Sequence, residues 1–156
     1  MSKKINVAIV GLGFGAEFIP LWQKHPHANC YAICQRDPQK LKQIGDAFKV
    51  EKQYTKYADV LADPHVDFVH INSPIPDHAA MSLAALEAGK HVISAVPAAM
   101  DLEGCQQLLE TVKQTGRLYM MAETGYYHPE IITCRQWNRE GKFGTIFYSE
   151  AEYFHD

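Results

Sequence analysis

The stretch INVAIVGLGFGA, residues 5–16, decides how the rest of the chain is read. Its first half is an apolar run suited to a strand buried on both faces. Its second half, Gly11-Leu12-Gly13-Phe14-Gly15-Ala16, fits G-x-G-x-x-G/A at the mouth of a predicted helix over residues 15–24. In that pattern the first glycine permits a tight turn and the second lets backbone approach a pyrophosphate. The small third residue lets the helix pack on the strand. Free N–H groups at the helix N-terminus then meet the phosphates. Strand, turn and helix together predict a dinucleotide site on Gly11, Leu12, Gly13, Phe14, Gly15 and Ala16.

The same unit repeats downstream. Residues 29–35 (NCYAICQ), 67–72 (DFVHIN), 91–94 and 118–122 read as strands. Helices are predicted over 39–48, opened by Asp37-Pro38, and over 77–88, 101–114 and 129–140, ended by Gly89, Gly116 and Gly141. Strands alternating with helices predict an α/β fold with a doubly wound parallel sheet. Residues 145–154 (TIFYSEAEYF) depart from this rhythm, being longer and β-rich, and are expected to begin a second sheet.

Composition narrows the partners. The chain has 156 residues, 47% of them hydrophobic and 21% charged, enough for one real core and the start of a second domain. Its net charge of −3, with no basic run beyond Lys3-Lys4, gives no footprint for nucleic acid or an anionic membrane. Cys30, Cys34, Cys105 and Cys134 form no Cys-x-x-Cys pair, and a reduced, cytoplasmic setting is expected. The apolar N-terminal segment is broken by glycines 11, 13 and 15, and no uncharged run is long enough for a membrane span. His25 and His27 flank a proline without other ligands at suitable spacing, so no metal site is expected.

The end of the second strand commonly carries an acid for the adenosine ribose. Here it reads Gln35-Arg36-Asp37. Gln35 can hydrogen-bond a ribose hydroxyl and Arg36 can accept a 2′-phosphate, while the simpler role for Arg36 is a solvated cation and for Asp37 a helix cap. The cofactor is thus NAD or NADP.

VGLGFGAEF at 10–18, Ser73-Pro74 and His78 of NSPIPDH, ALEAGKHV at 85–92 and EAEYFHD at 150–156 together resemble the glucose-fructose oxidoreductase/inositol dehydrogenase (Gfo/Idh/MocA) family. The resemblance implies a Rossmann domain, taken as residues 1–124, followed by a second α/β substrate domain. Of that second domain only residues 125–156 are expected, so the chain resembles a truncated piece. It further implies oxidation or reduction of a sugar, polyol or related alcohol with NAD(P), and a homo-oligomer built through the C-terminal sheet.

Most members of this family carry Glu-Lys-Pro after the strand that begins at His91, with the lysine at the nicotinamide ribose and the substrate hydroxyl. In HVISAVPAAM, residues 91–100, those positions are Ala95, Val96 and Pro97. The proline is kept and both ionisable groups are missing. The resemblance also implies a cis bond before Pro97 and places Ser73, Pro74 and His78 near the nicotinamide. His78 and Glu123 remain weak catalytic candidates, with Tyr126, Tyr127 and His128 close to Glu123 in sequence. The alternative for His78 is a helix N-terminal histidine with local hydrogen bonds.

Three functions fit. The first is an NAD(P)-dependent oxidoreductase. The second is a redox-assisted glycoside hydrolase, since VPAAMDLEGCQQLLETV, residues 96–112, resembles a related NAD-dependent glycosidase group. The third is a dinucleotide-binding protein without turnover.

Overall fold

A computed structural model describes residues 4–152. The chain divides into two compact units, Met1–Ala122 and Glu123–Asp156.

The first unit is a six-stranded parallel sheet in the order β3-β2-β1-β4-β5-β6. Its strands are β1 (Ile5–Val10), β2 (Ala28–Cys34), β3 (Lys52–Tyr54), β4 (Phe68–Ile71), β5 (His91–Ser94) and β6 (Tyr119–Met121). The helices between them are α1 (Ile19–Lys24), α2 (Pro38–Phe48), α3 (Tyr57–Ala62), α4 (His78–Glu87) and α5 (Leu102–Thr115). A 3-10 turn, Gly15–Phe18, precedes α1, so the helix foreseen over residues 15–24 is tighter in its first turn.

Alternation along β1 divides the core between the two faces of the sheet. Val7 and Ile9 pack with Leu12, Ile19, Ile33 and Leu41 on one side, and Ala8 and Val10 pack with Val60, Val69, Leu86 and Leu108 on the other. Helices on both faces explain why β1 is apolar at successive positions. Local chemistry sets the helix ends. Asp37 Oδ1 accepts from the backbone N–H groups of Gln39 at 2.9 Å and Lys40 at 3.2 Å, and Pro38 fills the first helical position. Asp101 caps α5 through Gly104 N at 2.8 Å, and Gly116 closes it at φ 64°.

β3 and α3 were not foreseen from sequence. The strand has three residues on the outer edge of the sheet, and its partly polar KQY gives no apolar period. Its ladder to β2 and the Asp63 carboxylate hold the segment in place. That carboxylate accepts from Tyr54 Oη at 2.6 Å and Tyr31 Oη at 3.0 Å.

In the second unit a 3-10 turn, Thr124–Tyr127, leads into α6 (Pro129–Arg139). The strand expected over residues 145–154 is not formed over 145–152, where no partner strand exists among the described residues to take its backbone groups. Residues 153–156, which include His155 and Asp156, lie outside the described residues. Among the described residues no helix is long and apolar enough to cross a membrane.

Candidate functional site

The strand order reverses between β2 and β4, on either side of β1, and at the carboxyl ends of these strands lies a cavity of about 750 Å3. This is where an open α/β sheet holds a ligand. Backbone bonds shape its floor: Gly11 N donates to Cys34 O at 3.0 Å and Asn72 N to Val10 O at 2.7 Å.

The glycines divide the work of the turn. Gly11 has φ +86°, and a Cβ there would collide with the Asn72 carbonyl, so this position needs glycine for both conformation and space. At Gly13 a Cβ would meet nothing within 4 Å, so that backbone faces open space. Gly15 packs closely on β1, a Cβ there lying 3.0 Å from Ile9 Cγ2. Ala16 packs beside it on the same core, and Leu12 is fully buried in that core, so its side chain points away from the cavity. Phe14 is exposed and meets Phe18 edge-on at 5.1 Å.

Gln35 and Arg36 also line the cavity. Gln35 Oε1 accepts from Arg36 N at 2.9 Å, and Gln35 N donates to Tyr54 O at 3.1 Å. Cys34 lies at the base, where burial first and the Asp59 charge second push its thiol up to about 11. Lys40, Thr55, Lys56, Tyr57 and Asn72 were not singled out from sequence. Three of them flank the unforeseen β3, and only the sheet order shows that this strand reaches the cavity.

Ser73 and Pro74 form part of the wall. His78 is 1% exposed, with Nδ1 2.8 Å from Pro97 O and Nε2 2.8 Å from Ser73 O. Each ring nitrogen thus lies against a backbone carbonyl. One of these partners, Ser73, is near in sequence, and the other, Pro97, is brought there by the fold. Ala95, Val96 and Pro97 lie outside the walls of this cavity, the Val96-Pro97 bond is cis, and Val96 is 41% exposed. Ala95 N is anchored to Ile71 O at 2.8 Å.

In the second unit, Glu123 accepts from Gly125 N at 2.9 Å and so caps its own turn. Tyr126 stacks edge-on with Tyr127 at 5.0 Å and carries the Arg135 guanidinium 3.5 Å over its ring. His128 pairs with Glu130 at 3.6 Å. Each of these groups is held by a neighbour in its own unit.

Residues 5–123 match the Gfo/Idh/MocA family model, described as an oxidoreductase family with an NAD-binding Rossmann fold. The chain belongs to the Gfo/Idh/MocA family. Its sheet order and glycine turn are those of that fold. A glycosyl hydrolase family 109 protein of Shewanella pealeana is 32% identical over 134 residues, covering 80% of this chain and 29% of the relative. D-apiose dehydrogenase of Paraburkholderia graminis is 27% identical over 152 residues, covering 97% of this chain and 40% of the relative.

Solved structures of the family superpose closely. Scyllo-inositol dehydrogenase from Lactobacillus casei, with bound NAD(H) and scyllo-inositol, has a TM-score of 0.83 at 28% identity, covering 91% of this chain and 43% of that one. An oxidoreductase from Agrobacterium radiobacter in complex with NAD+, L-tartaric acid and magnesium gives 0.86 at 27% identity, covering 92% and 42%. The chain thus spans less than half the length of these relatives.

Proposed function

We propose that this chain is the nucleotide-binding part of an NAD(P)-dependent oxidoreductase acting on a sugar, polyol or related alcohol. The observation that carries the reading is the cavity at the reversal of strand order, with Gly11 and Gly13 in its wall. Its residues fit a dinucleotide. Gly13 presents bare backbone to open space, which suits a pyrophosphate, and Asn72 Nδ2, Asn72 Oδ1 and Ser73 Oγ are buried there without partners.

In this reading the 11–16 turn holds the pyrophosphate, and Gln35 with Arg36 holds the adenosine ribose. Ser73, Pro74 and the Ala95-Val96-Pro97 turn border the nicotinamide, with His78 as their brace. The bound dinucleotide supplies the hydride acceptor or donor. Val96 shapes the site by packing and has no atom that can take or give a proton. General acid–base help is worth about 10²–10⁴-fold, so its source lies outside this turn. Residues 125–156 are taken as the start of a substrate and oligomerisation domain, and the setting as cytoplasmic.

The 32% identity to the Shewanella pealeana protein favours redox-assisted glycoside hydrolysis as a second reading. Titration of the 156-residue chain with NADH and NADPH tests the nucleotide site. Polyol-dependent reduction of NAD(P)+ and aryl-glycoside cleavage then test turnover. The expected result is saturable binding with neither activity. Failure to bind either nucleotide by a cooperatively unfolding chain would overturn the reading, and robust turnover would overturn the assignment of the proton-transfer group.

A further inference from the structure

Part of the cavity wall is cationic. Arg36 follows β2, Lys40 lies in the first turn of α2, and Lys56 follows β3, and all three line the cavity. Among the described residues none of their side chains has an ion pair, hydrogen bond or ring partner. Three exposed cations lining one cavity, with no counter-charge paired to them, make that wall favourable to an anion.

The acids nearby do not serve as that anion. Asp37 is spent on capping α2 through Gln39 N and Lys40 N. Asp77, the one carboxylate in the cavity wall, pairs with none of the three. At Gln35 an amide stands where a carboxylate would repel a phosphate. Its Oε1 is occupied by Arg36 N, which leaves its N–H groups to donate.

The loop after the second strand of such a sheet is where the adenosine 2′ position lies. We propose that the cavity selects the 2′-phosphorylated dinucleotide, NADP(H), with Arg36, Lys40 and Lys56 as the phosphate-binding set. This rests on the nucleotide site proposed above. Arg36 supplies a planar fork suited to two phosphate oxygens, and the two lysines act as point charges.

The test is parallel titration of the chain with NADPH and NADH at low salt, and of adenosine 2′,5′-bisphosphate against 5′-AMP. NADPH is expected to bind at least tenfold tighter, a preference that shrinks as salt rises. Arg36→Ala should collapse the NADPH:NADH preference about tenfold, Lys40→Ala and Lys56→Ala should each reduce it less, and Lys42→Ala, whose side chain pairs with Asp46, should leave it unchanged. NADH binding as tightly as NADPH, or a preference insensitive to Arg36→Ala, would overturn the inference while leaving the nucleotide site standing. Loss of both nucleotides in the unsubstituted, folded chain would overturn both.

Discussion

His78 Nδ1 lies 2.8 Å from the carbonyl oxygen of Pro97, and this contact ties the start of α4 to the turn that follows β5. The other ring nitrogen does the same for Ser73, so one buried imidazole braces two loops.

Replacing that brace should be felt in both stability and binding. His78→Ala removes the imidazole N–H that one of the two carbonyls accepts and opens a void in a site that is 1% exposed. A loss of about 1–3 kcal/mol is expected in urea unfolding, together with weaker nucleotide binding as the 73–74 loop loses its support. An unchanged denaturation midpoint would show that the loops hold themselves.

The glycine turn separates folding from binding. Gly11→Ala forces a side chain into φ +86° and against the Asn72 carbonyl, so it should lower the denaturation midpoint. Gly13→Ala has nothing to collide with in the protein and should leave the midpoint nearly unchanged, yet weaken nucleotide binding at least tenfold by filling the space proposed for the pyrophosphate. Equal behaviour of the two variants in both measurements would contradict this division.

His70 predicts acid sensitivity. Burial holds its pKa near 4, against an ordinary 6.5. Trp22 Nε1 donates to its Nδ1 at 3.1 Å, and its Nε2 has no partner. The folded protein keeps this imidazole neutral, so below pH 6.5 the unfolded chain binds a proton that the folded one refuses. Stability is therefore complete above that pH and should fall by roughly 3 kcal/mol as pH drops towards 4. His70→Phe should flatten that interval while costing about 1 kcal/mol at pH 8, because Trp22 loses its acceptor. Urea unfolding across pH 4–8 reads both effects.

Asp63 acts in a lower window. Burial opposes its ionisation, but hydrogen bonds from Tyr54, His65 N and Tyr31 and the Lys52 charge outweigh burial and hold the carboxyl below its usual 3.8. The stability it contributes is present above that value and lost only as pH falls below it, so Asp63→Asn should leave the decline between pH 6.5 and 4 intact.

Thiol labelling checks the packing of the central strands. Cys30 and Cys34 are buried, with burial pushing their thiols up to about 12 and 11, while Cys105 and Cys134 are exposed. Ellman's reagent at pH 8 should react quickly with two thiols in the native protein and with all four in denaturant. Fast reaction of Cys34, which lines the cavity, would mean that the end of β2 opens readily.

Much of the fold was legible in the chain because its signals are local. The apolar run of β1, the glycines after it, the aspartate caps of α2 and α5 and the glycine that ends α5 each act within a few residues. They were enough to place every strand of the sheet but β3, and every helix between the strands but α3. The glycine turn announced a candidate site for the same reason.

Tertiary structure decided what depends on distant partners. β3 has three residues and stands as a strand because β2 supplies its ladder. Residues 145–152 have the composition of a strand and form none, because no partner lies among the described residues. His78 reads in sequence as a histidine beside a ligand crevice. Only folding brings Ser73 and Pro97, five and 19 residues away, to its two nitrogens and turns it inward. That Arg36, Lys40 and Lys56 line one cavity is likewise invisible along the chain, because Lys56 reaches it only through the pairing of β3 with β2. Backbone torsions and caps are set by near neighbours, whereas burial and charge at a site are set by whichever distant segments the sheet places side by side.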